Sequence, residues 1–321
     1  MEETTKLYWS GRYEWRYGEK GILIGNKEYD FRQLFPELYF LTAVGCTLAE
    51  AVQHFPDVPE CQIRKIFGFL LDHDVLTDTL QTPEVLFESQ YRFYSEKNGY
   101  PEDILLRNDL IEKIHQEALN RSFPDDADVI TLLEATQFSS KRRSVRMFRT
   151  DKKISFSDFS ALLSCLKQDR SGDQPVCTYP SAGGLYPVDV YLYLKPDRVE
   201  GIEGGIYEYL PAVHSLRLVS RNAIPARAHF YGNKQIFASS AFSAYFFYHA
   251  DASMPKYHGM GYYYAIVDSG IMLGKLTDTA ENLSLGSCII GVFDYSKAAD
   301  CFQTGANVIY LHCMEFGIPA E

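Results

Sequence analysis

The sequence predicts an α+β protein, and three observations carry that prediction. Strand-like and helix-like stretches are mixed without a regular strand–helix–strand alternation, so a parallel sheet of crossover units is not expected. Ala238 to His249 is a long aromatic run of buried-strand character, whereas residues 262–285 repeat small and apolar side chains every three to four positions. The first 80 residues have a helix–helix–short-strand order, the outline of a winged helix.

Taken in order, residues 6–30 alternate aromatic or apolar with polar residues (Tyr8, Trp9, Tyr13, Trp15, Tyr17, Ile22, Ile24) and predict one or two short strands, with Gly18 and Gly21 as turns. Thr47 with Glu50 forms a capping-box pattern ahead of Leu48, Ala51, Val52 and Phe55. Pro59-Glu60 opens a second helix with Ile63, Ile66, Phe67, Leu70 and Leu71 on one face. Residues 1–90 are read as a winged-helix-like module and 91–137 as a helical linker with a helix near 102–120, punctuated by Asn98-Gly99-Tyr100-Pro101 and Ser122-Phe123-Pro124. The main domain is placed at 138–321. In it Ser155 or Ser157 caps a helix whose apolar face is Phe156, Phe159, Leu162, Leu163 and Leu166. A strand follows at 188–194, then two short strands at 205–209 and 216–219, the aromatic strand, the long helix stopped by Gly286, and a last strand at 308–311.

Composition narrows the function classes. The chain of 321 residues carries a net charge of −11, which argues against nonspecific binding to nucleic acid or an anionic membrane. The winged-helix-like module holds eight basic against thirteen acidic residues in positions 1–80, so docking of a peptide or protein suits it better than DNA reading. No apolar stretch reaches the length of a membrane span, and the start is neither a signal nor a transit peptide, so a cytoplasmic location is expected. Seven cysteines without a CxxC pair point to reduced thiols, and eight scattered histidines without HxxxH or HxH give no expectation of a metal.

Four segments could carry chemistry. Pro180-Ser181-Ala182-Gly183-Gly184-Leu185-Tyr186-Pro187 is a small-residue turn whose paired glycines allow positive φ or close approach to a flat group; as an isolated feature it is equally a tight turn before a buried strand. Arg142-Arg143-Ser144-Val145-Arg146 offers guanidinium forks and a hydroxyl, a good phosphate-binding set, or else a solvated basic turn. Lys256-Tyr257 lies between Pro255 and Gly259 in a segment read as a loop; a Lys beside a Tyr can serve proton transfer near neutral pH, or be an exposed Lys beside a packed Tyr. Leu285-Gly286-Ser287-Cys288-Ile289-Ile290-Gly291 reads as a helix end followed by a buried strand or loop. There is no GxGxxG, no phosphate-binding GxxxxGK[ST] loop and no GxSxG elbow.

In this order the four segments resemble the nitroreductase superfamily of FMN proteins over roughly residues 138–317. Within it they look most like the SagB-type and peptide-synthetase oxidase branch, whose members turn thiazolines and oxazolines into thiazoles and oxazoles. The resemblance implies a nitroreductase-like fold, a central mixed or antiparallel sheet flanked by helices. It implies FMN held at its phosphate and ribityl chain by Arg142, Arg143, Ser144 and Arg146. The isoalloxazine would lie along Pro180, Ser181, Ala182, Gly183, Gly184 and Leu185, approached from the other side by Ile290 and Gly291. It also implies a homodimer with residues 262–285 near the interface, Lys256 and Tyr257 as the catalytic pair, and an azoline substrate tethered to a peptide or carrier protein. Two departures stand out. Relatives read E-A-G-H-x-x-Q-N-L where this chain has Asp268-Ser269-Gly270 through Leu276, and the terminal V-G-R-P becomes Phe316-Gly317-Ile318-Pro319, which removes an expected phosphate-binding arginine. An NAD(P)H-dependent nitro- or quinone-reductase on the same fold and a non-catalytic docking module remain as alternatives.

Overall fold

The computed structural model describes residues 5–10, 15–24, 27–79, 142–172, 174–230 and 232–320, and of Arg16 the backbone alone. The linker helix expected at 102–120 lies outside the described residues. The described parts of 5–79 and 144–320 belong to one compact unit.

The N-terminal part carries a short strand β1 (Tyr8–Trp9) and an antiparallel three-stranded sheet of β2 (Trp15–Tyr17), β3 (Ile22–Ile24) and β4 (Lys27–Tyr29). Helices α1 (Glu37–Ala43), α2 (Leu48–His54) and α3 (Glu60–Asp72) follow, and β5 (Leu76–Thr77) returns to pair with β1. The predicted capping box is formed: Thr47 Oγ1 accepts the Glu50 N–H at 3.2 Å, and the Glu50 carboxylate accepts the Thr47 N–H at 2.7 Å. Trp9, Phe35, Tyr39, Phe67 and Leu70 form the core of this part.

The centre of the molecule is a six-stranded sheet in the order β10-β9-β8-β11-β13-β12, every pair antiparallel: β8 (Val188–Leu194), β9 (Gly205–Leu210), β10 (Ser215–Ser220), β11 (Phe242–His249), β12 (Gly286–Ile290) and β13 (Val308–Gly317). Side chains alternate between two cores. β8 sends Val188, Val190, Leu192 and Leu194 to one face and Tyr191 and Tyr193 to the other; β11 divides Phe242, Ala244, Phe246 and Tyr248 from Tyr245 and Phe247. Both faces are covered, which is why these strands read as nearly continuous apolar runs. The first face packs α4 (Phe156–Ser164) and the long α7 (Met260–Asn282), which contributes Tyr262, Ala265, Met272, Leu273, Leu276 and Ala280. The second face packs α5 (Asn233–Ser239) and α8 (Ala299–Phe302); α6 (Ala250–Tyr257) connects β11 to α7. Two-residue strands β6 (Gln168–Asp169) and β7 (Val176–Cys177) pair separately, and the seven cysteines are free thiols.

Several boundaries differ from expectation. The aromatic strand begins at Phe242, because residues 233–239 close a helix and the Ser239 and Ser240 hydroxyls donate back to its carbonyls, competing with strand pairing. Phe156 is 57% exposed: as the first helical residue after the Ser155 cap it faces away from the core. The long helix ends at Asn282, with Ser284 taking the left-handed conformation (φ +57°), while Gly286 opens β12. A Cβ on Gly286 would come within 2.8 Å of Val145, so this glycine admits segment 144–148 against the sheet edge.

Candidate active site

The Pro180–Pro187 turn folds as a single 3₁₀ turn at Ala182–Gly184, closed by the Gly184 N–H donating to the Ser181 carbonyl at 3.0 Å. Gly183 (φ +63°) and Gly184 (φ +67°) both occupy the left-handed region, so the pair of glycines has a backbone reason. The turn is tied down by Ser181: its hydroxyl accepts the Tyr186 N–H at 3.0 Å and donates to Asp268 Oδ2 at 2.6 Å. Asp268 sits on the buried face of α7. Burial pushes the Asp268 carboxyl above the usual range, and the Ser181 hydroxyl pulls it back. The turn is thus anchored to the long helix through a carboxylate.

Lys256 and Tyr257 lie in the last turn of α6, not in the loop expected for them. Pro255 removes one helical hydrogen bond, but the buried Ser253 and Met254 hold the helix against the core. A Cβ on Gly183 would overlap the Tyr257 hydroxyl and lie 2.8 Å from Lys256 Nζ. Both side chains therefore converge on the bare backbone of Gly183. Lys256 Nζ stands 5.1 Å from the centroid of the Tyr257 ring, and Tyr264 meets that ring edge-on at 5.1 Å. Gly184 differs from Gly183, with no atom within 4 Å of a would-be Cβ. Pro180 is exposed, and Ser181, Ala182 and Leu185 are half-buried.

The other two segments form a second pairing. The Val145 N–H donates to the Ser287 carbonyl at 2.9 Å, so residues 144–146 run along β12. Ser144 is half-buried and Arg146 exposed; Arg142 and Arg143 are exposed. Ile290 is buried in the second core, so its side chain faces away from solvent, whereas Ile289 is 45% exposed and Gly291 borders open space.

Beside the turn lies a cavity of about 310 Å³ lined by Tyr186, Pro187, Asp189, His249, Asp251 and Ala252. His249 Nε2 is 2.7 Å from Asp189 Oδ2, and this carboxylate raises the imidazole above its ordinary pKa against the opposing effect of burial. Asp189 and His249 were not singled out by sequence reasoning, and Asp268 was named only as the start of a segment that departs from the relatives' pattern. A signal existed for two of them: Asp268 falls between Ala265 and Met272 on an apolar helix face, and Asp189 interrupts an apolar strand.

The comparisons bear on this arrangement. The Nitroreductase family model matches residues 140–314. A protein of Methanocaldococcus jannaschii named as a nitroreductase is 25% identical over 154 residues, covering 48% of this chain and 76% of its own. Among solved structures, a chain of the E. coli microcin synthetase McbBCD complex, determined with truncated pro-MccB17 bound, superposes with a TM-score of 0.56 at 20% identity over 73% of this chain and 97% of that one. The chain belongs to the nitroreductase family of oxidoreductases.

Proposed function

We propose that this protein is an FMN-dependent dehydrogenase that oxidises thiazoline or oxazoline rings carried on a peptide. The observation that carries the proposal is the convergence of Lys256 and Tyr257 on Gly183, which brings the family-branch pair against the glycine turn. The described residues fit the cofactor. Ser144 and Arg146 supply a hydroxyl and a guanidinium for a phosphate, and Gly184 and Gly291 leave backbone that a flat ring can approach. When bound, FMN supplies a two-electron acceptor. Asp268, through Ser181, fixes the turn that would hold the ring system. The azoline loses one hydride and one proton as it becomes aromatic. Tyr257 takes that proton, and the Lys256 ammonium beside it stabilises the phenolate. The cavity at Asp189 and His249 has the size of a small-ligand pocket and suits residues flanking the ring in a peptide. The bound pro-peptide in the microcin synthetase complex supports a peptide substrate.

The proposal includes a homodimer. Met260, Tyr263 and Val267 expose an apolar stripe on α7 that continues as Gly270 and Gly274, a face suited to a second copy of this helix. The decisive experiment loads the purified chain with FMN, supplies a synthetic thiazoline peptide in air, and follows loss of two hydrogens per ring by mass spectrometry. Wild type converts the ring, while Lys256→Ala and Tyr257→Phe keep the flavin spectrum and lose turnover about 100-fold. Full turnover in both variants refutes the assignment. The M. jannaschii relative favours a second reading, an NAD(P)H-dependent reductase; bleaching of the flavin by NADPH without any azoline would select it.

A further inference from the structure

The residue that follows the Lys256-Tyr257 pair is strained. His258 has φ +51° and ψ −141°, a region nearly reserved for glycine. The next residue is a glycine, yet Gly259 adopts ordinary helical angles (φ −58°, ψ −25°), so the strain falls on the histidine. His258 is also the pivot between α6 and α7: its N–H donates to the Met254 carbonyl at 2.8 Å, and its carbonyl accepts the Gly261 N–H at 3.0 Å. Its backbone angles set how the last turn of α6, with Lys256 and Tyr257, is presented to Gly183. A residue held in such a region persists only where its surroundings over-determine it.

Those surroundings come from the N-terminal module, 219 positions away in sequence. The Tyr39 hydroxyl lies 2.9 Å from His258 Nε2, and the two rings are 5.6 Å apart at 36°. Tyr39, on α1, is 5% exposed and is itself wedged by Trp9 and Trp15, each 5.3 Å from its ring, and by Phe35 at 5.9 Å. A packed aromatic cluster thus ends in a hydroxyl set against the imidazole of the strained pivot, 2.9 Å from Nε2 and 3.2 Å from Nδ1.

We propose that Tyr39 is a positioning residue for the active site: by fixing the His258 ring it holds the strained pivot that sets Lys256 and Tyr257 against Gly183. The proposal rests on the reading of Lys256 and Tyr257 as the catalytic pair, and it gives the N-terminal module a role in catalysis beyond docking. Its test uses the full chain. In the flavin-free protein, lysines are reductively methylated with ¹³C-formaldehyde, and the Lys256 resonance is assigned by its loss in Lys256→Gln. Tyr39→Phe keeps the packed ring and removes only the hydroxyl; it is expected to shift and broaden the Lys256 resonance, while Val44→Ala on the exposed end of α1 leaves it in place. In His258→Gly, where glycine adopts the pivot conformation without strain, adding Tyr39→Phe is expected to move the resonance no further. With FMN and a thiazoline peptide, Tyr39→Phe is expected to lower kcat about tenfold with KM within about twofold. An unmoved Lys256 resonance in Tyr39→Phe, or an effect of equal size in the His258→Gly background, overturns the proposal. If wild type fails to oxidise the thiazoline, the functional reading fails, while the resonance still decides the positioning role.

Discussion

Replacing Gly183 and Gly184 separately with alanine divides backbone strain from active-site geometry. Both residues have φ near +65°, so a Cβ costs each variant about 1–2 kcal/mol in the left-handed region. For a chain of 321 residues that is a fall in Tm of about 1.5–3 °C, the same for both within error. Their surroundings differ. At position 183 the new methyl overlaps the Tyr257 hydroxyl and stands 2.8 Å from Lys256 Nζ; both are ends of movable side chains, so they swing aside and the fold survives. Restoring ordinary contact displaces the pair by about 1 Å, and a misplacement of that size costs on the order of 100-fold in rate, about 2.7 kcal/mol of transition-state stabilisation. At position 184 nothing lies within 4 Å, so the methyl would crowd only the flavin that we propose lies there. Thermal unfolding by circular dichroism, FMN titration by fluorescence quenching and thiazoline-peptide turnover separate the effects. Gly183→Ala is expected to lose turnover with FMN affinity near wild type, and Gly184→Ala to lose FMN affinity first. Turnover of Gly183→Ala within threefold of wild type would refute the reasoning.

The His249–Asp189 pair gives a pH signature. Because the folded imidazole has a raised pKa, the pair's stabilisation is fully present below about pH 6.5 and is lost as pH rises through the raised value. Urea midpoints of wild type and His249→Gln should therefore differ most at pH 6 and converge by pH 9; the comparison cancels Lys195, whose pKa burial lowers to about 8 in both proteins. Glu315 is fully buried, accepting from Ser240 Oγ at 2.5 Å and Ser243 Oγ at 2.8 Å, with the Lys195 ammonium donating to Ser240. Glu315→Ala takes this acceptor from the buried Ser240 and Ser243 hydroxyls and should cost about 1–3 kcal/mol in denaturant titration, with Glu315→Gln costing less. Thr47→Ala should lower stability by about 1 kcal/mol, through loss of the capping box, without changing turnover.

Local chemistry was legible wherever it repeats along the chain. The capping box at Thr47, the helix opening at Pro59, strand 188–194 and the small-faced long helix followed from caps and periodicity, because each depends on neighbours within a few residues. The motif segments were legible as well, and their order carried the family. Boundaries were less so: Ser239 and Ser240 end a helix within what reads as one aromatic strand, and Pro255 hides a helix within what reads as a loop.

By itself the sequence determined the fold class, the glycine turn, and the presence of a Lys-Tyr pair downstream of it. Only the tertiary structure decided what these do to one another. That the glycine at 183 makes room for Lys256 and Tyr257, that Asp268 anchors the turn, and that Tyr39 reaches the pivot at His258 are juxtapositions of residues about 70 to 220 positions apart. No local propensity records such distances. They arise when the two faces of one antiparallel sheet are buried and the helices that cover it bring their ends together.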